Sequence, residues 1–293
     1  MKRSTYAFAL AFAASLASAQ YSVVSQARGW SEADYNWATH TGGYTHLATF
    51  GSPTASAPSD LTGTLTSVST AVSGHGPDYP HNPNTYDRVS STASLESASV
   101  SMMEYDTAVD PAYTGYDGGD TISEIYDYLT FNIAGATAST VTNISYTYTI
   151  AGYMRQSGSY SGGDAHDVRS NWHFGSEYAQ TSLQLDVSSG YVAYINGNGG
   201  TGTFTTLTPE LIVQTGVISV TGASYSAPFY MTQSSHISNG MDVGYTNSIK
   251  FDLQPNVTMN SSSGVFGTQA VPEPGAIVTL LVGGAALVRR RRK

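Results

Sequence analysis

Residues 142–151 read TNISYTYTIA, and this alternation constrains the chain more than any other stretch. Successive side chains of an extended strand point to opposite faces. Ile144, Tyr146, Tyr148 and Ile150 therefore share one face, and Ser145, Thr147 and Thr149 share the other. The same period of two recurs at Leu129, Phe131 and Ile133, at Leu183, Leu185 and Val187, and at Ile249, Phe251 and Leu253. Further strands are expected within 61–72, 89–103, 191–195, 211–220 and 225–231. No long segment carries an apolar period of 3.6.

Between Ala93 and Met103 the apolar phase slips from Ala93 and Leu95 to Ala98, Val100 and Met102. A bulge or kink near Ser97 would restore the facing. The clusters SGG at 161–163, SSG at 188–190 and NGNGG at 196–200 read as turns between antiparallel strands. About nine or ten strands, polar on one face, predict an all-β fold: an antiparallel two-sheet sandwich, jelly-roll-like in connectivity.

Charged residues make up only 11% of the 293, well below the roughly 25% of an average soluble domain. Ser and Thr fill 18 of the 50 positions in 51–100, which predicts a surface solvated by hydroxyls. The formal charge of −9 is unevenly placed, since seven of the twelve Lys and Arg lie at the two ends. From Gln20 to Ala270, five basic residues stand against twenty acids, a balance of −15. Such a body disfavours nucleic acid and anionic lipid. There is no cysteine, so disulfides, thiolate nucleophiles and cysteine metal sites are excluded.

The N-terminus MKRSTYAFALAFAASLASAQ begins with Lys2 and Arg3, continues through an uncharged run and ends in small residues. This three-part layout is that of a secretory signal peptide over residues 1–19. Ala17 and Ala19 supply the small side chains that the peptidase pocket accepts, and cleavage falls between Ala19 and Gln20.

At the other end stands VPEPGAIVTLLVGGAALVRRRRK. Its apolar run, 275–288, is 14 residues long, about 21 Å as a helix against a hydrocarbon core of roughly 30 Å. That is short for a permanent span. Arg289, Arg290, Arg291, Arg292 and Lys293 would hold the end on the cytoplasmic side. The Gly283 and Gly284 pair weakens the helix by about 1 kcal/mol per residue relative to Ala.

The order of Pro272, Glu273 and Pro274, then the apolar run, then the basic end, resembles the PEP-CTERM sorting signal of Gram-negative bacteria. The resemblance covers only residues 271–293. It implies recognition by an exosortase-type membrane protease, transient contact of this segment with the inner membrane, and delivery to the cell surface or extracellular matrix, often beside exopolysaccharide. It implies nothing about the body of the chain. The expected organisation is a signal peptide at 1–19 with its helix, a β-sandwich domain at 20–254, a linker at 255–270, and the sorting signal at 271–293 with a short hydrophobic helix. The expected partners are signal peptidase, the exosortase and extracellular polysaccharide, with no nucleic acid.

Within the body, MMEYDTAVD at 102–110 places Glu104 and Asp106 on the face of Val100 and Met102. Laminarinase-like jelly-roll hydrolases carry Glu-x-Asp-x-x-Glu on one strand; here Val109 stands at the third position, which removes the second carboxylate that double displacement needs. The acidic stretch DPAYTGYDGGDTISE at 110–124 offers Asp117, Asp120 and Glu124 as oxygen ligands on a loop, the one place for a structural calcium. His75 and His81 with Asp78, and His166 and His173 with Asp167, lack tight metal-ligand spacings, so no metal site is assigned. Trp30, Tyr35 and Trp37 are read as packing near the first strand. No phosphate-cradling loop and no Gly-x-Ser-x-Gly elbow occurs. The reading is a non-enzymatic exported protein of structural or adhesive role, without catalytic residues or cofactor. The alternative is a carbohydrate-binding module or glycoside hydrolase acting on exopolysaccharide, with the 21 tyrosines as sugar-stacking rings.

Overall fold

The computed structural model describes residues 21–33, 45–50, 54–56, 66–74, 87–106, 116–156, 166–186, 190–238 and 241–267. The signal peptide, its cleavage site and the whole sorting signal lie outside these residues, as do both terminal helices expected from sequence. The described chain is all strand and turn.

In chain order the strands are β1 (Ser22–Ala33), β2 (Thr45–Phe50), β3 (Thr54–Ser56), β4 (Ser67–Gly74), β5 (Asp87–Ser94) and β6 (Ser99–Asp106). The long strands β7 (Tyr116–Ile133) and β8 (Val141–Gln156) follow, then β9 (His166–Phe174), β10 (Glu177–Asp186) and β11 (Gly190–Gly199). The last are β12 (Thr203–Leu207), β13 (Leu211–Thr221), β14 (Ser224–Ser238), β15 (Met241–Asp252) and β16 (Val257–Ser261).

Two antiparallel sheets pack as a sandwich. The larger has nine strands in the order β11-β10-β9-β14-β7-β1-β2, with β3 paired to β1 and β16 to β7. The smaller has seven, β12-β13-β8-β15-β6-β5-β4. Strand β7 is long enough to pair with β1 along its first half and with β16 at its end, while β14 runs along its other edge.

Alternation sets what each strand buries. Ile144, Tyr146, Tyr148 and Ile150 of β8 all face inward, as their spacing predicts. Opposite them, Trp172 of β9 packs edge-on against Tyr146, with ring centroids 4.9 Å apart. Its indole N–H donates to Gln214 Oε1 at 2.9 Å, so a buried donor keeps its partner. Phe131, Phe174, Phe229, Phe251 and Phe266 form a second ring cluster, largely in edge-to-face pairs. Such pairs add about 0.5–1.5 kcal/mol each beyond area burial.

Four expectations change. The phase slip after Leu95 is not a bulge within one strand but a tight turn between two. Ala98 donates its N–H to the Leu95 carbonyl at 3.0 Å, in the left-handed region at φ 47°. Both turn residues are buried, so β5 and β6 each keep their own inward phase.

The hydroxyl-rich segments do not serve the surface alone. Ser25, Ser91 and Ser123 meet between the sheets, with Oγ to Oγ distances of 2.7 and 2.9 Å. Ser123 also donates to the Ser101 carbonyl and Thr70 to that of Ser25, closing one end of the core with hydroxyls instead of rings.

The acidic stretch 110–124 is strand, not loop, from Tyr116 onward, because it pairs residue by residue with β1. Finally, the segment from 255, read as a last strand fraying into a linker, does carry a strand, β16, and stays packed after it. Beyond it Phe266 is buried against Phe229 at 4.7 Å, and the Gly267 N–H donates to the Leu95 carbonyl at 2.9 Å. Packing thus runs through Gly267.

Candidate functional site

The sequence offered Glu104 as the sharpest catalytic group. Strand β6 does turn it inward beside Val100 and Met102, but the side chain is closed between the sheets at 1% exposure. It fills the space left by Gly119 of β7, where a Cβ would stand 2.7 Å from Glu104 Oε1. Asp106 ends β6, and its side chain lies outside the described residues, as does Val109.

The other inward acids are equally enclosed. Glu177 of β10 accepts from the Tyr146 hydroxyl at 2.7 Å and from the Thr201 N–H at 2.8 Å. Burial, then the Glu177 partner, pushes the Tyr146 phenol far above its ordinary range. Asp127 of β7 accepts from the Tyr128 N–H at 2.7 Å, the Ser263 N–H at 3.2 Å and the Ser263 hydroxyl at 2.5 Å. Burial nevertheless holds its carboxyl above the usual carboxylate range. Each of these carboxyls is exposed by 2% or less.

The expected metal ligands separate. On β7, Asp120 and Glu124 project from the outer face, and Asp120 is engaged by His236 Nδ1 at 2.7 Å. His75, Asp78 and His81 lie outside the described residues. In the second cluster, Asp167 accepts from Arg169 at 2.6 Å and Ser182 at 2.8 Å, while His173 stacks on Tyr178 with centroids 6.5 Å apart. Among the described residues no group of three or more His, Asp or Glu is placed to hold a metal ion.

The outer face of the nine-stranded sheet brings together residues the sequence left apart. Residues opposite one another in antiparallel strands project from the same face. Register places Tyr126 of β7 opposite Tyr230 of β14, Tyr230 opposite His173 of β9, and His173 opposite Tyr178 of β10. Four rings therefore cross four adjacent strands in one row. At about 4.8 Å per strand the row spans roughly 14 Å. Tyr230 is 39% exposed, and Tyr128, one step along β7, is 36% exposed.

A parallel row two residues along consists of Glu124, Thr232, Asn171 and Gln180, aligned by the same pairings. The Tyr230 phenol is raised above its ordinary pKa, chiefly by burial and then by the Glu124 charge. At the far end, Tyr178 leans over β11, where two glycines make room. A Cβ at Gly197 would stand 3.4 Å from its ring, and one at Gly199 would overlap it.

No sequence signal marks this site, because its members come from 126, 173, 178 and 230 and only strand pairing unites them. The outward phase of Tyr126 and Tyr128 was legible in the alternation with Leu129 and Phe131; their neighbours were not. The fold and face together define a β-sandwich with an aromatic outer strip. No protein-family model matches the chain, and none of the curated proteins matches it.

Proposed function

We propose that this chain is an exported, non-enzymatic protein of a bacterial cell surface or extracellular matrix. A signal peptide at 1–19 starts export, and Pro272, Glu273 and Pro274 present a sorting site to an exosortase-type protease. Arg289 to Lys293 orient the tail. The body is a jelly-roll-like sandwich of structural or adhesive role. Support for the connectivity is that β14 lies between β7 and β9 while the chain passes from sheet to sheet after β3, β6, β7, β8, β11, β13, β14 and β15.

One observation carries the non-enzymatic reading. The inward carboxylates Glu104, Asp127 and Glu177 are each 2% exposed or less, sealed away from any polymeric substrate, whereas Tyr128 and Tyr230 stand exposed on the outer face of the larger sheet. A glycoside hydrolase needs two carboxylates flanking an accessible bond, about 5 to 9 Å apart. Glu104, the hydrolase candidate, sits on the wrong side of its sheet for that work.

Only three residues separate Gly267, the last described residue, from Val271. Fully extended they reach roughly 11 Å. Tail processing therefore takes place close to the folded body. Mass spectrometry of the protein recovered from its host tests the sorting reading. The expected mature chain begins at Gln20 and lacks the residues after the Pro-Glu-Pro site; an intact C-terminus through Lys293 on the mature surface protein refutes processing.

A further inference from the structure

We infer that the aromatic row on the outer face of the nine-stranded sheet is a binding strip for a neutral polysaccharide. The proposal deepens the matrix reading above and rests on it for the source of the ligand, though binding is tested without it. Three features converge on this chemistry.

The first is shape. Tyr126, Tyr230, His173 and Tyr178 succeed one another across the outer face at the spacing of strands, in one continuous row. A pyranose ring has an apolar face of axial C–H groups that packs on an aromatic ring, and a row of rings offers repeated contacts to a repeating polymer. The row is about 14 Å long, the reach of a short oligosaccharide. Tyrosine is suited to such a place, with an apolar body and a polar tip.

The second is hydrogen bonding. Sugar hydroxyls both donate and accept, and the neighbouring row supplies both kinds of partner in Glu124, Asn171 and Gln180, with Thr232 largely buried between them. Asn171 and Thr232 hold each other only loosely, at 3.4 Å, and Gln180 is exposed.

The third is charge. Among the described residues the ring row carries no formally charged side chain; farther along this face Asp167 is paired with Arg169, and Asp120 is hydrogen-bonded to His236. The remaining acid beside the rings is Glu124. Together with the body's balance of −15, this repels a uronate polymer or an anionic membrane and leaves a neutral glycan as the occupant.

The test is binding of the secreted mature protein to an array carrying neutral gluco-, manno- and galacto-configured oligosaccharides beside uronic-acid oligosaccharides. At least one neutral series is expected to bind, with affinity insensitive to salt. Tyr230→Ala and Tyr178→Ala should each weaken it roughly tenfold or more, as loss of an anchoring ring does. Tyr230→Phe, which keeps the ring, should stay within about threefold of the parent. Tyr105→Ala, exposed on β6 of the other sheet, should leave binding unchanged. Far-ultraviolet circular dichroism confirms that each variant is folded; should Tyr178→Ala fail to fold, the Tyr230 pair decides alone.

Binding confined to uronic-acid glycans, no glycan binding, or binding that Tyr230→Ala leaves intact would each overturn the proposal. So would a self-associated dimer that Tyr230→Ala dissociates, since the strip would then be occupied by a second copy. None of these outcomes alters the mass of the mature chain, so the sorting reading stands or falls separately.

Discussion

The hydroxyl of Tyr146, on the smaller sheet, donates a 2.7 Å hydrogen bond to Glu177 Oε2 on the larger sheet, across the interior of the sandwich. The same carboxylate accepts from the Thr201 N–H, at the turn between β11 and β12. One buried acid thereby ties both sheets to the turn that carries the chain between them. Removing a donor from a buried charge costs more than the bond itself contributes, because the remaining acceptor keeps its desolvation. Tyr146→Phe should therefore destabilise the protein by about 1–3 kcal/mol in urea unfolding. A loss below about 0.5 kcal/mol would show that Thr201 alone satisfies Glu177.

The ion pair between Arg155 and Asp242 joins an exposed cation to a carboxylate only 11% exposed, and gives a milder expectation because glutamine at 155 can still donate to Asp242. The guanidinium side chain is 69% exposed, so solvent screens the pair despite its short contact. Arg155→Gln should change stability by no more than about 1 kcal/mol. Its visible effect should be on Tyr153, whose ring lies under the Arg155 guanidinium and whose phenol is pushed up to about 12 by burial and then by Asp242. Spectrophotometric titration checks this: loss of the cation should raise the Tyr153 transition further, and a fall would contradict the assignment.

At Gly152 of β8 the constraint is steric. A Cβ there would meet the Gly244 carbonyl oxygen and come within 2.7 Å of Tyr245 Cα, both backbone atoms of the neighbouring β15. Backbone in mid-sheet cannot rotate away as a side chain can. Gly152→Ala should cost about 3 kcal/mol, measured by thermal or urea unfolding. A cost under about 1 kcal/mol would mean that β8 and β15 separate locally at little expense.

Asp127 sets a pH dependence. Its folded pKa is raised above the ordinary 3.8, chiefly by burial, so in the window upward from 3.8 the folded state binds more protons than the unfolded chain. Stability then falls as pH rises from the unfolded pKa through the folded one, and is level above it. Asp127→Asn removes this dependence while keeping an acceptor for the Tyr128 and Ser263 N–H groups. Melting curves from pH 4 upward should show the parent losing ground to the variant as pH increases. A constant difference across the series would rule out Asp127 as the source.

The packed C-terminal segment yields a boundary test. A chain ended at Gln254 loses β16 and the Phe266 contact with Phe229, whereas one ended at Gly267 keeps both. The shorter chain should melt roughly 10 °C lower, the expected scale for removing a buried Phe from a domain of this size. Equal melting temperatures would show that the segment packs without stabilising.

How far the sequence carried the fold depends on the range of the interaction. Inward and outward faces at 144–150 were legible because period two is a property of consecutive residues, with each side chain read against its neighbours. The turn at Leu95 to Ala98 was misjudged for a related reason. A bulge and a tight hairpin both restore phase, and the choice rests on burying Leu95 and Ala98 together, a tertiary event. The hydroxyls of Ser25, Ser91 and Ser123 look like surface groups until three separate strands bring that of Ser91 within 3 Å of the other two. Only there do they become partners for one another.

By itself, then, the sequence determined the β class, the faces of its best strands, the exclusion of thiol chemistry and the basis for reading both ends as export signals. All of these rest on residue type or local spacing. The tertiary structure decided which strands are neighbours, and with that the enclosure of Glu104, the tie from Tyr146 to Glu177 and the row of rings from Tyr126 to Tyr178. Tyr126 and Tyr230 stand directly opposite each other although 104 positions separate them in the chain. Strand register follows from the summed packing of both sheets, so no local pattern in either strand records it.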